Sequence, residues 1–268
     1  MRAPFPFIAA IIAILLLPGC QTGSRGGRLL SPASSEAESV GILQELRAND
    51  TALQNFRAAG TLTLQSPKLK SIQRFPSGTV AYRRPGDLFV TGRNALGVTL
   101  FKMTSSGNEF LIEFPTVSNT DERYYYSFEG EQFARVPFSV SPADVARELF
   151  MPLDWKTLNS DDVRVTSVDE ETGQATLTVT LHNGLTRRCE VSGQPWAISR
   201  STLFDADGAT VSEAYLQDYI EVNGVRFPSY AEAWFPTEQT RLTFELRNIR
   251  VNTALDDAMF TITWRPGQ

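Results

Sequence analysis

The sequence predicts a mainly β (α+β) fold: an antiparallel sheet of many strands with a few helices. Three observations carry that reading. Short runs that alternate apolar and polar residues recur from Gly60 almost to the C-terminus, as in Thr61-Leu62-Thr63-Leu64. Turn signals such as Pro76-Ser77-Gly78, Pro85-Gly86-Asp87, Glu171-Thr172-Gly173 and Asn223-Gly224 separate these runs at hairpin spacing. Only two longer stretches carry a helical apolar period instead. A single sheet of this length tends to curl.

The chain has 268 residues, 42% of them hydrophobic, which is enough to bury a large core. A net charge of −5 offers nothing basic for a nucleic-acid backbone. One histidine and two cysteines leave little material for a zinc site, a histidine-based triad or a disulfide framework. The expectation is therefore a protein with no enzymatic activity, no metal and no cofactor.

Residues 1–19 read as a signal peptide: Met1-Arg2, a nearly unbroken apolar run from Ala3 to Leu17, then Pro18-Gly19-Cys20. As a helix the run reaches roughly 22 Å, short of the roughly 30 Å hydrocarbon core that a spanning helix must cross. Leu17, Gly19 and Cys20 resemble the bacterial lipobox, although Pro18 departs from the small or β-branched residue usual at its place. That resemblance implies cleavage before Cys20, acylation of Cys20 and a lipid anchor, and Gln21 after it resembles the pattern routed to the outer membrane. The expected location is thus the cell envelope, lipid-anchored and facing the periplasm.

Residues 20–38 comprise the lipidated cysteine and a Ser- and Gly-rich tether too poor in apolar residues to order itself. A single domain is expected over 39–268. It opens with an amphipathic helix over 40–56, on which Ile42, Leu46, Leu53 and Phe56 fall at helical offsets; Asn49-Asp50-Thr51 is a candidate break. A second helix is expected over 141–151, with Ser141 as N-cap, Pro142 at the first helical position and Pro152 as the stop. A last helical turn is expected near Ala254 to Met259.

The hairpin around His182-Asn183-Gly184 decides between two registers. A two-residue Asn-Gly turn mixes apolar and charged residues on one face. A three-residue loop sets Leu181 against Leu185, Leu177 against Cys189 and Ala175 against Val191, with Val179 against Arg187 and Gly184 in the left-handed conformation. The three-residue loop is expected.

Chemically suggestive residues have plain explanations. His182 sits at a turn with no second ligand, and Cys189 reads as an inward small hydrophobe. Asp205-Ala206-Asp207-Gly208 lacks the rest of a calcium loop and reads as a tight turn. The pairs Arg83-Arg84 and Arg187-Arg188 put one charge on each side of a strand and read as solvated.

The C-terminal part carries a stronger pattern. Tyr219, Asn223-Gly224 and Phe227-Pro228 form a hairpin, followed by the strand Leu242-Thr243-Phe244-Glu245-Leu246, then Asn252, then an acidic turn Asp256-Asp257 before Phe260. With the anchor, tether and leading helix, this arrangement resembles the LolA/LolB-like family of lipoprotein carriers and receptors, over nearly all of residues 40–266. The resemblance implies a strongly curved, incomplete β-barrel covered by a few helices over an apolar pocket for acyl chains. It implies acyl chains or lipoproteins as ligands and an envelope protein as a possible partner. Neither the carrier's functional arginine nor the receptor's protruding leucine loop is assigned to a residue of this chain.

Period-two alternation groups Leu62 with Leu64, Val80 with Tyr82, Leu88 with Val90, and Phe110 with Ile112 and Phe114. These nine residues are expected to line the cavity beneath the two helices. The competing reading is a scaffold or subunit lipoprotein of an envelope complex whose core is packed solid.

Overall fold

Among the described residues, alternation in the sequence becomes thirteen strands: β1 (Asn55–Gln65), β2 (Gln73–Arg83), β3 (Asp87–Arg93), β4 (Thr99–Ser106), β5 (Glu109–Glu113), β6 (Tyr124–Ser127), β7 (Val163–Asp169), β8 (Gln174–Thr180), β9 (Thr186–Ser192), β10 (Ala197–Phe204), β11 (Thr210–Val222), β12 (Val225–Phe235) and β13 (Thr240–Val251). The computed structural model describes residues 32–67, 69, 71–107, 109–128, 145, 148–150, 153–155, 157–169, 171–181, 184–193 and 195–265. Cys20, the signal segment and most of the expected tether lie outside the described residues.

Every pairing is antiparallel, and the strands form one sheet in the order β6-β5-β4-β3-β2-β1-β13-β12-β11-β10-β9-β8-β7. Neighbours in the sheet are neighbours in sequence everywhere except where β1 meets β13. Strands β6 and β7 are the two edges and do not pair with each other, so the curved sheet stays open. The predicted fold class is the observed one.

Turn chemistry fixes the register. Val222 pairs with Val225 across Asn223-Gly224, whose φ values of 51° and 74° are those of a two-residue hairpin with the strands' own twist. At the contested hairpin, Leu177 pairs with Cys189 and Ala175 with Val191, the Leu181 N–H donates to the Leu185 carbonyl at 2.9 Å, and Gly184 has φ 77°. The three-residue register is therefore correct, although His182 and Asn183 themselves lie outside the described residues. Asp205 closes its turn by accepting from the N–H groups of Asp207 and Ala209.

Helix α1 (Pro32–Ala52) packs Ile42, Leu43 and Leu46 into the core. It begins eight residues before the expected start at Val40, and it ends four residues before Phe56. Phe56 is instead the first inward residue of β1, between Tyr82 and Val251. An apolar residue three places after Leu53 fits a helix and a new strand equally well, and only pairing with β2 and β13 decides. Asn49 does not break the helix. Its side chain accepts from the Arg226 N–H at 2.8 Å and donates to the Arg226 carbonyl at 3.0 Å, tying α1 to β12. Of the second expected helix, Val145 and Glu148–Phe150 are helical; Ser141–Asp144 lie outside the described residues. A 3-10 turn at Asp257–Met259, capped by Asp256, occupies the place of the predicted last helical turn.

Candidate ligand cavity

Strands β1 to β6 and β13 curl around a cleft of about 650 Å³, open to solvent on one side. Its wall follows from period two. Leu62 and Leu64 of β1 stand beside Leu242 and Phe244 of β13, and Val90, Met103 and Ile112 continue the wall across β3, β4 and β5. Phe114 just beyond β5 meets Tyr125 of β6 edge to face at 5.6 Å. Val145 closes the cleft from the helical side. Glu122 is the single charged residue in this lining among the described residues; a few polar groups such as Gln73 and Thr240 complete it.

One glycine makes the aromatic part of the wall possible. Gly92 of β3 sits directly opposite Phe101 of β4, and a Cβ there would lie 2.1 Å from the Phe101 ring. The missing side chain lets Phe101 lie over the strand and meet Phe75 near edge to face at 4.8 Å.

Five of the nine predicted lining residues, Leu62, Leu64, Val90, Ile112 and Phe114, do line the cleft. Val80, Tyr82, Leu88 and Phe110 do not, although all four are buried. For Tyr82 and Leu88, which pair with each other, the reason is depth along the strand: the end of the barrel near the start of β1 is filled, with Phe56 contacting Tyr82, Phe150 and Phe227 at centroid distances of 6.0, 4.9 and 4.5 Å. Val80 pairs with the lining Val90 and is buried without reaching the cleft. Phe110 lies one pair from the β4–β5 turn, away from the open end.

Alternate hairpin tips of an antiparallel sheet fall at one end. Those at 94–98, 114–119 and 236–239, with Ser66, Pro67, Leu69, Ser71 and Ile72 of the β1–β2 connection, lie at the end of the sheet where Leu69, Val117 and Thr240 line the mouth. Three large apolar side chains on these tips face water: Ile72, Val98 and above all Leu96, which is 88% exposed. The Leu96 tip is rigidly built, since the Asn94 side chain accepts from the N–H groups of both Leu96 and Val98 at 3.0 Å and Gly97 turns with φ 81°. Sequence reasoning did not single out Leu96. Its signal was an apolar residue inside an Asn-Ala-Leu-Gly turn, where turn chemistry places a side chain in solvent.

The structure overturns the expectation for Arg187. Arg187 is not solvated: it is 1% exposed, held by Glu148 through paired bonds of 2.7 and 2.8 Å and by Ser201 at 2.8 Å. Burial pulls the Arg187 pKa down, but the hydrogen bonds and charge of Glu148 outweigh it and leave the guanidinium above its ordinary value. Arg83 and Arg84 are likewise engaged, with Asp87 and Asp257 and with Asp50 respectively. Cys189 is inward as expected, and burial pushes its thiol up to about 11.

No protein-family model and no curated protein matches the sequence. Solved structures do match in fold. A DUF1329 family protein from Desulfovibrio piger aligns over 83% of this chain and 96% of its own at 13% identity and a TM-score of 0.56. A LolA superfamily protein from Nitrosomonas europaea aligns over 84% and 97% at 13% identity and 0.52. A putative outer membrane lipoprotein-sorting protein domain from Vibrio parahaemolyticus aligns over 84% and 97% at 9% identity and 0.53. The fold is LolA-like.

Proposed function

We propose that this chain is a lipid-anchored envelope protein, held to the outer membrane through acylated Cys20, that receives acyl chains or acylated proteins in the cleft and helps to pass them into a membrane. The observation that carries the reading is the cleft itself: about 650 Å³, walled by aliphatic and aromatic side chains and open at one end. That volume lies within the roughly 300–1,000 Å³ of small-molecule sites. The solved structure of a putative outer membrane lipoprotein-sorting protein domain with a similar fold supports the envelope setting. Leu96 gives the mouth an apolar lip suited to touching a bilayer.

The reading contains no catalytic step. Its test is binding of a fluorescent fatty-acyl probe by the delipidated protein, with unlabelled lipid as competitor. Saturable, competable binding is expected. Absence of such binding overturns the reading in favour of a scaffold lipoprotein.

A further inference from the structure

The C-terminal segment leaves β13 at Val251 and returns across the other strands to the far edge of the sheet. Asp257 pairs with Arg83 of β2, and Arg83 in turn lies 4.5 Å from the buried Phe260 ring. Arg265 binds Glu109 of β5 at 2.8 Å and covers the Phe128 ring at 4.6 Å. Between these attachments Trp264 stacks nearly flat on Tyr124, at 4.2 Å and 9°, and meets Tyr126 at 5.3 Å.

The strand so gripped is β6, four residues long, all half-buried, and paired with β5 alone among the described residues. An edge strand of this length has few ladder bonds to hold it. Its alternation divides the labour: Tyr124 and Tyr126 face the C-terminal segment, whereas Tyr125 between them faces the cavity. We propose that the C-terminal segment is a clasp: Trp264, by holding Tyr124 and Tyr126, controls how often β6 parts from β5 and opens the side wall of the cavity. In so far as the clasp gates a ligand, it rests on the function proposed above.

The test does not need the ligand. In the full chain carrying Cys20→Ser, Cys189 is the one native thiol and is fully buried. Adding Ile112→Cys puts a reporter thiol in the cavity wall. Trp264→Ala is expected to raise the rate at which a small maleimide labels that thiol several-fold while Cys189 stays unlabelled, and Trp264→Phe is expected to keep the slow rate. An unchanged rate in Trp264→Ala, or labelling of Cys189 in step with the reporter, overturns the clasp. Release of the acyl probe is expected to quicken several-fold in Trp264→Ala; release unchanged despite faster labelling overturns the gating role. Failure of the unsubstituted protein to bind the probe overturns the lipid reading alone, and the labelling rates then decide the clasp.

Discussion

Arg187 and Glu148 meet as a two-bond ion pair in the interior, 39 residues apart in sequence and both almost wholly out of water. The pair ties β9 to the helical stretch whose Val145 closes the cavity. Removing one partner strands a charge where water cannot reach it. Glu148→Ala is expected to lower stability by about 3–5 kcal/mol in urea denaturation, and Glu148→Leu combined with Arg187→Met to recover most of that loss. Equal losses in the single and double variants would contradict the assignment.

The Cys189 thiol has a folded pKa raised from an ordinary 9.0 to about 11 by burial. The folded state keeps the proton where the unfolded chain releases it. The stability this contributes is complete below about pH 9 and disappears as the pH rises through about 11. Denaturation midpoints measured from pH 8 to 11 are expected to fall less steeply in Cys189→Ala than in the unsubstituted protein. Parallel curves would place the alkaline loss elsewhere, for example in Tyr82, which burial pushes up to about 12.

Gly92→Ala would set a methyl group against the Phe101 ring and, at 2.8 Å, against Phe75. Both rings line the cavity, so the strain has somewhere to go. The variant is expected to lose about 1–3 kcal/mol of stability and to bind the acyl probe more weakly as the rings move inward. A variant that keeps both its melting temperature and its probe affinity would show that the glycine is not needed for space.

Cys20→Ser is expected to leave the chain unacylated and to move it from the membrane fraction to the soluble one, because buried methylenes contribute about 0.8 kcal/mol each and two or more chains are needed for stable anchoring. Persistence in the pellet after a high-salt wash would contradict the anchor. In the soluble form, Leu96→Asp is expected to reduce flotation with anionic vesicles without changing the melting temperature, since the side chain is 88% exposed.

Strand content, hairpin register and five of the cavity-wall residues were legible in the sequence because each depends on local chemistry. Gly184 and the match of Leu177 to Cys189 select one loop over another without reference to the rest of the chain. What covers a face is not local. Tyr82 and Val90 share the inward side, yet Tyr82 is stacked with Phe56 while Val90 meets open space. The same limit hid Arg187: period two put it inward with Cys189, but its partner Glu148 lies on a different element and nothing nearby in sequence announces it. Leu96 was overlooked for the opposite reason, since a lone leucine in a turn carries meaning only once the mouth beneath it is known.

The order of strands also governs how the chain reaches this shape. Strands β1 to β6 and β7 to β13 are two runs in which each strand pairs with the next, so their contacts close over short loops. The β1–β13 seam is different: Phe56 must find Val251, and Leu64 must find Leu242, across most of the chain. Loop closure on that scale, together with the register it fixes, makes the seam the step of highest contact order. Substitutions in the seam, such as Leu62 or Phe244, should therefore slow refolding, whereas equivalent losses in the outer hairpins should act mainly on the rate of unfolding.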